Sequence, residues 1–581
     1  AISRSQHKSQ GFGVPAQRGN QLEYFATIKG AAPQSDLMEG IDAKWSRINL
    51  PDIHEQVSMI VRDYDLQHPE QSVPALFDLY QQLSGLTSDN WVLRKQKEVA
   101  ELILACSGFY AEAVTDRQLN VVGDSLRVTV TANKRLPADW QIKQFSLMGQ
   151  DWKPDSLRLN ENSSKRMVIY IPATTPLSQP YWLEQGLSNG SFVVPDWQRI
   201  GMAVNENLVG ELTLQSGSRT CRVSVPVRYK FTDPVKGERY MPIEIIPALT
   251  VEASPSLLLF TNDNKKEIKP VHFSVQANRR LNGKIHPQAF DNRKDYPLAS
   301  LDSLAAGEKH IVDFPIEASM LEKNSHESVG IRVAIPETTE GQYQAIRKIS
   351  YDHIPDIFYH FVDKISVLRI NLTVKGKRVG YIAGAGDKIP EALEQMGYEV
   401  VRLNAADIDP AQLQKLDAIV TGVRAYNIHD WLSEKYDVLM QYVSNGGVLL
   451  VQYNTNNSIG PVKAKIAPYP FVISRNRITN ETAPVHFLQP DHRILHYPNE
   501  ITAADFEGWV QERSIYHAEQ IDPHYQTIFG FTDPGEKEQE GSLIVADYGK
   551  GRFVYTGLAL FRQLPAAVPG AYRLLANLLA K

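Results

Sequence analysis

Three short polar clusters in the last third of the chain could do chemistry: Asp387, then Arg424, Tyr426 and Asn427, then Tyr453 and Asn454. An arginine beside an aspartate and asparagines can make forked hydrogen bonds to a carboxylate or to neighbouring hydroxyls. The chemistry this points to is non-covalent recognition of a polyhydroxylated or carboxylated sugar. The alternative is that Arg424 pairs with an acid such as Glu507 or Glu512 and ties loops together. Asp491, His492 and His496 form a further group, readable as metal ligands or a general base, or as capping and packing residues. A hydrolase centred on Asp387, Arg424 and His492 is a third reading of the same stretch. A thiolate nucleophile is excluded, because no cysteine follows Asn371 and the turn Gly422-Val423-Arg424-Ala425-Tyr426 holds neither thiol nor serine.

Each cluster follows a short, β-branched apolar run: Val379–Ala383, Ala418–Thr421 and Val448–Gln452. Such runs are how strands buried on both faces read. Between them lie helical patterns, Pro390–Met396 stopped by Gly397 and Trp431–Ser444 stopped by Asn445-Gly446-Gly447. The alternation predicts a parallel sheet with helices on both faces, and ligands in such sheets sit beyond the carboxyl ends of the strands. Gly384-Ala385-Gly386 is too short for a dinucleotide fingerprint, and Asp387-Lys388 before Pro390 reads as a helix entry.

Upstream, residues 35–116 show apolar residues at helical spacing, as in PDIHEQVSMIVRDYDL and WVLRKQKEVAELILACSGF. From 117 to 238 the period switches to two, in runs such as DSLRVTVTANK and TCRVSVPVRYKF, and it does so again from 239 to 372. The expected fold is therefore multidomain. A tail (1–34) and a helical spacer (35–116) precede two β-sandwiches (117–238, 239–372), and a C-terminal α/β flavodoxin-like parallel sheet (373–581) closes the chain. The aromatic loop Tyr181–Trp197 could stack on sugar rings or cover a core. His353, Asp356 and His360 have helix-like spacing for a metal, but Pro355 lies inside it, so an interdomain contact loop is the favoured reading.

The 581 residues are 43% hydrophobic and 22% charged with a formal net charge of −5. That excludes the basic footprint of a nucleic-acid-binding protein. No apolar run approaches the ~18 residues needed to cross a bilayer. Cys106 and Cys221 read as two buried thiols rather than a disulfide, and they leave the compartment open.

The opening string His7-Lys8-Ser9-Gln10-Gly11-Phe12-Gly13, followed by Arg18-Gly19 and Glu23-Tyr24-Phe25, resembles the closing segment of the PIG-L/LmbE family. These are zinc-dependent N-acyl deacetylases acting on N-acetylglucosamine-type sugars. The longer string looks like the large multidomain members of Bacteroidetes type. The family's A-H-P-D-D-E and H-x-x-[DE]-H zinc strings do not occur in this chain. The resemblance thus implies that residues 1–34 are the tail of a catalytic domain lying upstream. It places His7 near that domain's site, puts the zinc there rather than in this chain, and implies an amino-sugar substrate and a periplasmic or extracellular location. The strings D-H-x-I-L from Asp491, Asp505-Phe506, Trp509, Glu512-Arg513, Tyr516 and G-K-G-R-x-x-Y-T-G from Gly549 are similar to ThuA-like and class I glutamine-amidotransferase-like domains. A stand-alone carbohydrate-binding or surface interaction protein is the other function class, and Phe12, Tyr24 and Phe25 with no core of their own weigh against it.

Overall fold

The computed structural model describes the chain apart from residues 1, 2, 5, 6, 8, 9, 11–17, 43, 46–50, 87–89, 155, 186, 189, 203–205, 262–264, 338–340, 343, 457–460 and 463. Gly11, Phe12 and Gly13 of the opening string, with Lys8 and Ser9, therefore lie outside the described residues.

Helices span Pro51–Arg62, Val73–Ser84 and Asn90–Cys106. In the middle one Val73, Leu76, Phe77, Tyr80 and Leu83 are buried, the stripe that an amphipathic helix turns to a core. It docks on the first sandwich: Arg222 N donates to Tyr80 Oη at 3.2 Å and Arg219 pairs with Asp78 at 3.2 Å. The expected spacer thus shares one apolar core with its neighbouring sheet. Cys106 and Cys221 are buried and free, and burial pushes both thiols up, Cys221 to about 12.

Arg219–Asp233 runs through both leaves of the first sandwich. Its first half pairs with Val209–Ser216, and its second half with Phe109–Thr115 and Gly237–Pro242. The last pairing carries this sandwich past the expected boundary at 238. Along Ser125–Lys134 every second residue is buried, the period that a half-buried strand imposes. The second sandwich sets Leu249–Ser254, Ile268–Ala277 and Lys309–Glu317 against a five-stranded leaf running from Leu257–Phe260 to Asp295–Pro297. Glu244–Ile246 pairs in parallel with Leu119–Val121 and joins the two sandwiches. The helix-like spacing of His353, Asp356 and His360 is not realised. Gln344–Ile349 and Ile357–Val362 form a hairpin that puts His360 on a strand, and Asp356 pairs with Lys348 at 2.8 Å.

In the C-terminal domain β1 is Arg378–Ile382, α1 Ile389–Gln395, β2 Glu399–Leu403, β3 Ala418–Thr421, α2 Ala425–Ile428, α3 Tyr436–Ser444 and β4 Val448–Gln452. After a long excursion come β5 Gln526–Thr527, β6 Leu543–Tyr548, β7 Gly551–Thr556 and α4 Pro569–Leu579. The sheet order is β2-β1-β3-β4-β7-β6-β5, parallel from β2 to β7 and antiparallel at the β6 and β5 edge. Every residue of β3 and β4 is buried, as central parallel strands demand. Leu257 and Leu259 of the second sandwich share a core with Ile389 and Leu393 of α1, and Leu259 N donates to Gln395 Oε1 at 3.2 Å. Among the described residues no helix is long and apolar enough to cross a membrane.

Candidate functional site

The winding direction reverses between β1 and β3, where a parallel sheet ordinarily opens a ligand crevice. Here glycines close it. A Cβ on Gly384 would lie 2.1 Å from Val423 O, and one on Gly422 2.5 Å from Tyr381 Oη. With those side chains absent, the two strand tips touch backbone to backbone, and Ala385 N donates to Val423 O at 2.8 Å. Asp387 locks the contact. Its Oδ1 accepts from Tyr381 Oη at 2.7 Å and Ile389 N at 3.1 Å, its Oδ2 from Val423 N at 3.0 Å and Gln452 Nε2 at 3.3 Å. Burial, then the Asp387 charge, pushes the Tyr381 phenol well above its ordinary range.

The neighbouring polar residues are used in the same way. Asn454 Oδ1 accepts from Tyr426 N at 2.9 Å and its Nδ2 donates to Gln452 O at 3.0 Å. The Asn427 amide bonds the Thr455 backbone in both directions, at 3.0 and 2.8 Å. The Tyr426 ring is only 1% exposed, inside the core. Asp387, Tyr426, Asn427 and Asn454, expected to line a pocket, instead tie the strand tips together.

That tie throws Arg424 outward. With Val423 held by Asp387 and α2 starting at Ala425, Arg424 takes φ 62° and ψ 20°, a left-handed conformation that costs about 1–2 kcal/mol for a residue with a Cβ. Its amide donates to Tyr453 O at 2.8 Å, while its side-chain Nε is buried with no hydrogen-bond partner. Glu507 is exposed and unpaired with it, and Glu512 is taken by Arg562 at 3.1 Å. Among the described residues no carboxylate pairs with the Arg424 guanidinium.

Beside Arg424 stands an aromatic wall. Tyr453 stacks on Tyr516 with centroids 5.5 Å apart and planes 12° off parallel, and it meets Phe561 at 5.3 Å. Arg562 lies 4.9 Å over Phe561. Tyr516 is itself left-handed, at φ 54°, so two non-glycine residues of this group hold a conformation that persists only where surrounding structure enforces it. Burial pushes the Tyr453 phenol up, while the Arg424 and Arg562 charges pull it back, so both cations act on its hydroxyl. A half-buried ring platform with a free guanidinium can stack a ring's apolar face and hold an anion or hydroxyl.

The Ser514–His517 pair presents no nucleophile there. Ser514 Oγ and His517 Nε2 are 2.7 Å apart, but both residues are fully buried and burial pushes His517 down to about 4. His492 caps Arg493–His496, its Nδ1 accepting from Ile494 N at 3.2 Å. Burial and the nearby Arg552 charge push its pKa down. Arg552 is the second residue of β7, at the amino edge of the parallel strands, so His492 sits on the sheet edge opposite Arg424. His496 bonds Glu500 at 2.8 Å and Pro490 O at 2.7 Å. The structure thus does not bring Asp387, Arg424 and His492 together as a catalytic group. His7 is exposed with Nδ1 2.7 Å from Gln10 Oε1, and in the aromatic loop Phe192 and Trp197 are exposed. Among the described residues no group of histidine, cysteine and acidic side chains is arranged to hold a metal.

Of the expected pocket, Arg424 and Tyr453 remain. Tyr516, Phe561 and Arg562 join them, and Glu512 enters as the partner of Arg562 rather than of Arg424. Glu512 and Tyr516 stand in a string the sequence singles out; Phe561 and Arg562 carry no signal of their own, because only the placement of β7 beside β4 brings them near.

No family profile and no curated protein matches the chain. Among solved structures, a protein assigned as a GMP synthase component from Thermoplasma acidophilum is 11% identical, with 36% of this chain and 94% of that chain covered at a TM-score of 0.23. A CARDB domain from Pyrococcus furiosus, solved with di-metal ions, is 16% identical over 21% of this chain and 93% of that one, at 0.14. A β-galactosidase from Halorubrum lacusprofundi is 13% identical over 35% of this chain and 30% of that one, at 0.22.

Proposed function

We propose that this chain binds carbohydrate and does no covalent chemistry itself, with the ligand seated on Tyr453, Tyr516 and Phe561 against Arg424. The observation that carries the reading is Arg424. A residue held in a costly backbone conformation, half-exposed and with no carboxylate paired to its charge among the described residues, suits a partner from outside the chain. We read the C-terminal domain as flavodoxin-like and amidotransferase-like. The strained strand-to-helix turn is where such folds present a nucleophile. Here the turn presents a guanidinium, so the elbow is used for binding.

The opening string supports the wider proposal that residues 1–581 are the accessory region of a PIG-L/LmbE-type deacetylase. In that reading the sandwiches position the domains and an upstream zinc site hydrolyses an N-acetyl group from an amino sugar, in the periplasm or outside the cell. A stand-alone carbohydrate-binding protein would use the same seat.

The test is saturation-transfer NMR of the intact chain with a panel of neutral, amino and acidic monosaccharides. Wild type is expected to give ring-proton transfer from at least one sugar, lost in Tyr453→Ala and in Phe561→Ala. No transfer from any sugar, or transfer unchanged in both variants, overturns the reading.

A further inference from the structure

We infer that the Arg424 seat selects a sugar ring bearing one carboxylate, a uronic-acid residue, over its neutral counterparts. This rests on the binding reading above and deepens it.

Charges and donors do not balance at the seat. Two guanidinium groups act on the Tyr453 hydroxyl, those of Arg424 and Arg562, and the carboxylate of Glu512 acts there as well. Glu512 is engaged by Arg562 Nε at 3.1 Å. Among the described residues the remaining cation has no acid of its own, and its buried Nε–H reaches no acceptor in the protein. A sugar hydroxyl can accept from the terminal nitrogens of this half-exposed side chain but leaves the charge uncompensated. A carboxylate does both, because its two oxygens match the planar fork of the guanidinium. The Tyr453 hydroxyl, to which no protein group is bonded among the described residues, is a further donor acting at the same place.

The aromatic wall sets the rest of the ligand. Tyr453 and Tyr516 are stacked with their planes 12° off parallel, and Phe561 is tilted by 51° against Tyr453. A pyranose presenting its C–H face to the outer face of such a stack keeps its substituents at the ring edge, free to meet a guanidinium beside it. A phosphate dianion would bring twice the charge that the one uncompensated cation offers.

The experiment measures the affinity of the intact chain for methyl glucuronoside, for the isosteric methyl glucuronamide and for methyl glucoside, by calorimetry at pH 7. Glucuronoside is expected to bind at least about tenfold more tightly than glucuronamide, as loss of a charge-assisted bidentate contact implies. In Arg424→Gly, which the left-handed backbone accommodates without strain, the ratio is expected to fall to about one. In Arg424→Lys it is expected to fall only in part, since the charge remains without the fork. Equal affinity of wild type for all three sugars overturns the acid preference while leaving carbohydrate binding intact. A sulfated glucoside binding more tightly than glucuronoside overturns the carboxylate assignment. No binding of any of them overturns both this inference and the reading on which it rests.

Discussion

Two polar groups share the carboxyl edge of one sheet and differ in whether their charge is met within the chain. Around β1 and β3, Asp387 accepts four hydrogen bonds and Gly384 and Gly422 bring backbone onto backbone, so its charge is fully engaged. Among the described residues the buried side-chain atoms left unbonded there are neutral oxygens, Thr421 Oγ1 and Gln452 Oε1. Around β4 and β7, Arg424 keeps an unpaired buried donor on a charged group, beside three half-buried rings. Residue type does not separate the two, since either could have been the ligand seat. Satisfaction of the charge does: a closed network rigidifies the fold, and an open one with strained backbone implies a partner.

The sharpest way to break this comparison is to remove Asp387. Asp387→Ala strands Val423 N, Ile389 N and Tyr381 Oη where the two tips meet backbone to backbone, and leaves Gln452 Nε2 with Thr421 O alone. The expected loss is about 3–5 kcal/mol, the range for a buried network that loses its central acceptor. Urea unfolding of the C-terminal domain followed by near-ultraviolet dichroism reads it. A loss below about 1 kcal/mol, the worth of one ordinary hydrogen bond, would mean that the knot is not structural and that Asp387 belongs with the ligand seat after all.

A third region sharpens what an unsatisfied group means. At the junction of the sandwiches Glu244 is buried and its carboxyl is pushed up to about 7 by burial, and further by the Asp356 charge, against hydrogen bonds from Ser178 and Asn207. His360 faces the same junction with neither ring nitrogen partnered, and burial pushes its pKa down. The groups answer burial here by staying neutral, which a guanidinium cannot do. Since the folded pKa of Glu244 lies above its ordinary 4.5, its contribution is complete below about pH 4.5 and is lost as pH rises through 7. Relative to Glu244→Gln, wild type is expected to lose on the order of 3 kcal/mol between pH 4.5 and pH 8. The His360 contribution is common to both chains and cancels. A thermal-midpoint difference between the two that stays constant over this range would refute the assignment.

How far the sequence discloses all this follows from range. β3 and β4 are legible residue for residue because an uninterrupted β-branched run has few other readings. Helix α3 starts at Tyr436 rather than Trp431, since Asp430–Leu432 forms a separate 3₁₀ turn. The helices before Cys106 are legible as helices but not as part of a sandwich core, because their partner Arg219–Asp233 lies more than a hundred residues away. Asp387 draws donors from its own tip and from the tips after β3 and β4, so its role is invisible in any one window. Tyr516 and Phe561 meet Tyr453 only because β7 inserts beside β4, a neighbourhood that strand order alone decides.

The smallest expected effect has the opposite sign to the Asp387 loss and therefore tests the comparison most directly. If Arg424 served the fold, removing its side chain would destabilise the domain. Arg424→Gly instead relieves about 1–2 kcal/mol of left-handed strain and deletes the unpaired Nε, against about 0.5–1 kcal/mol for the added freedom of glycine in the unfolded chain. The balance is a gain of up to about 1 kcal/mol, read from the urea midpoint of the C-terminal domain. Arg424→Ala keeps the strain, so it should fall below Arg424→Gly by about 1 kcal/mol. That ordering, glycine above wild type and wild type near alanine, is what a residue held for its ligand predicts. Both variants falling well below wild type would return Arg424 to the structural side and leave the aromatic wall without its cation.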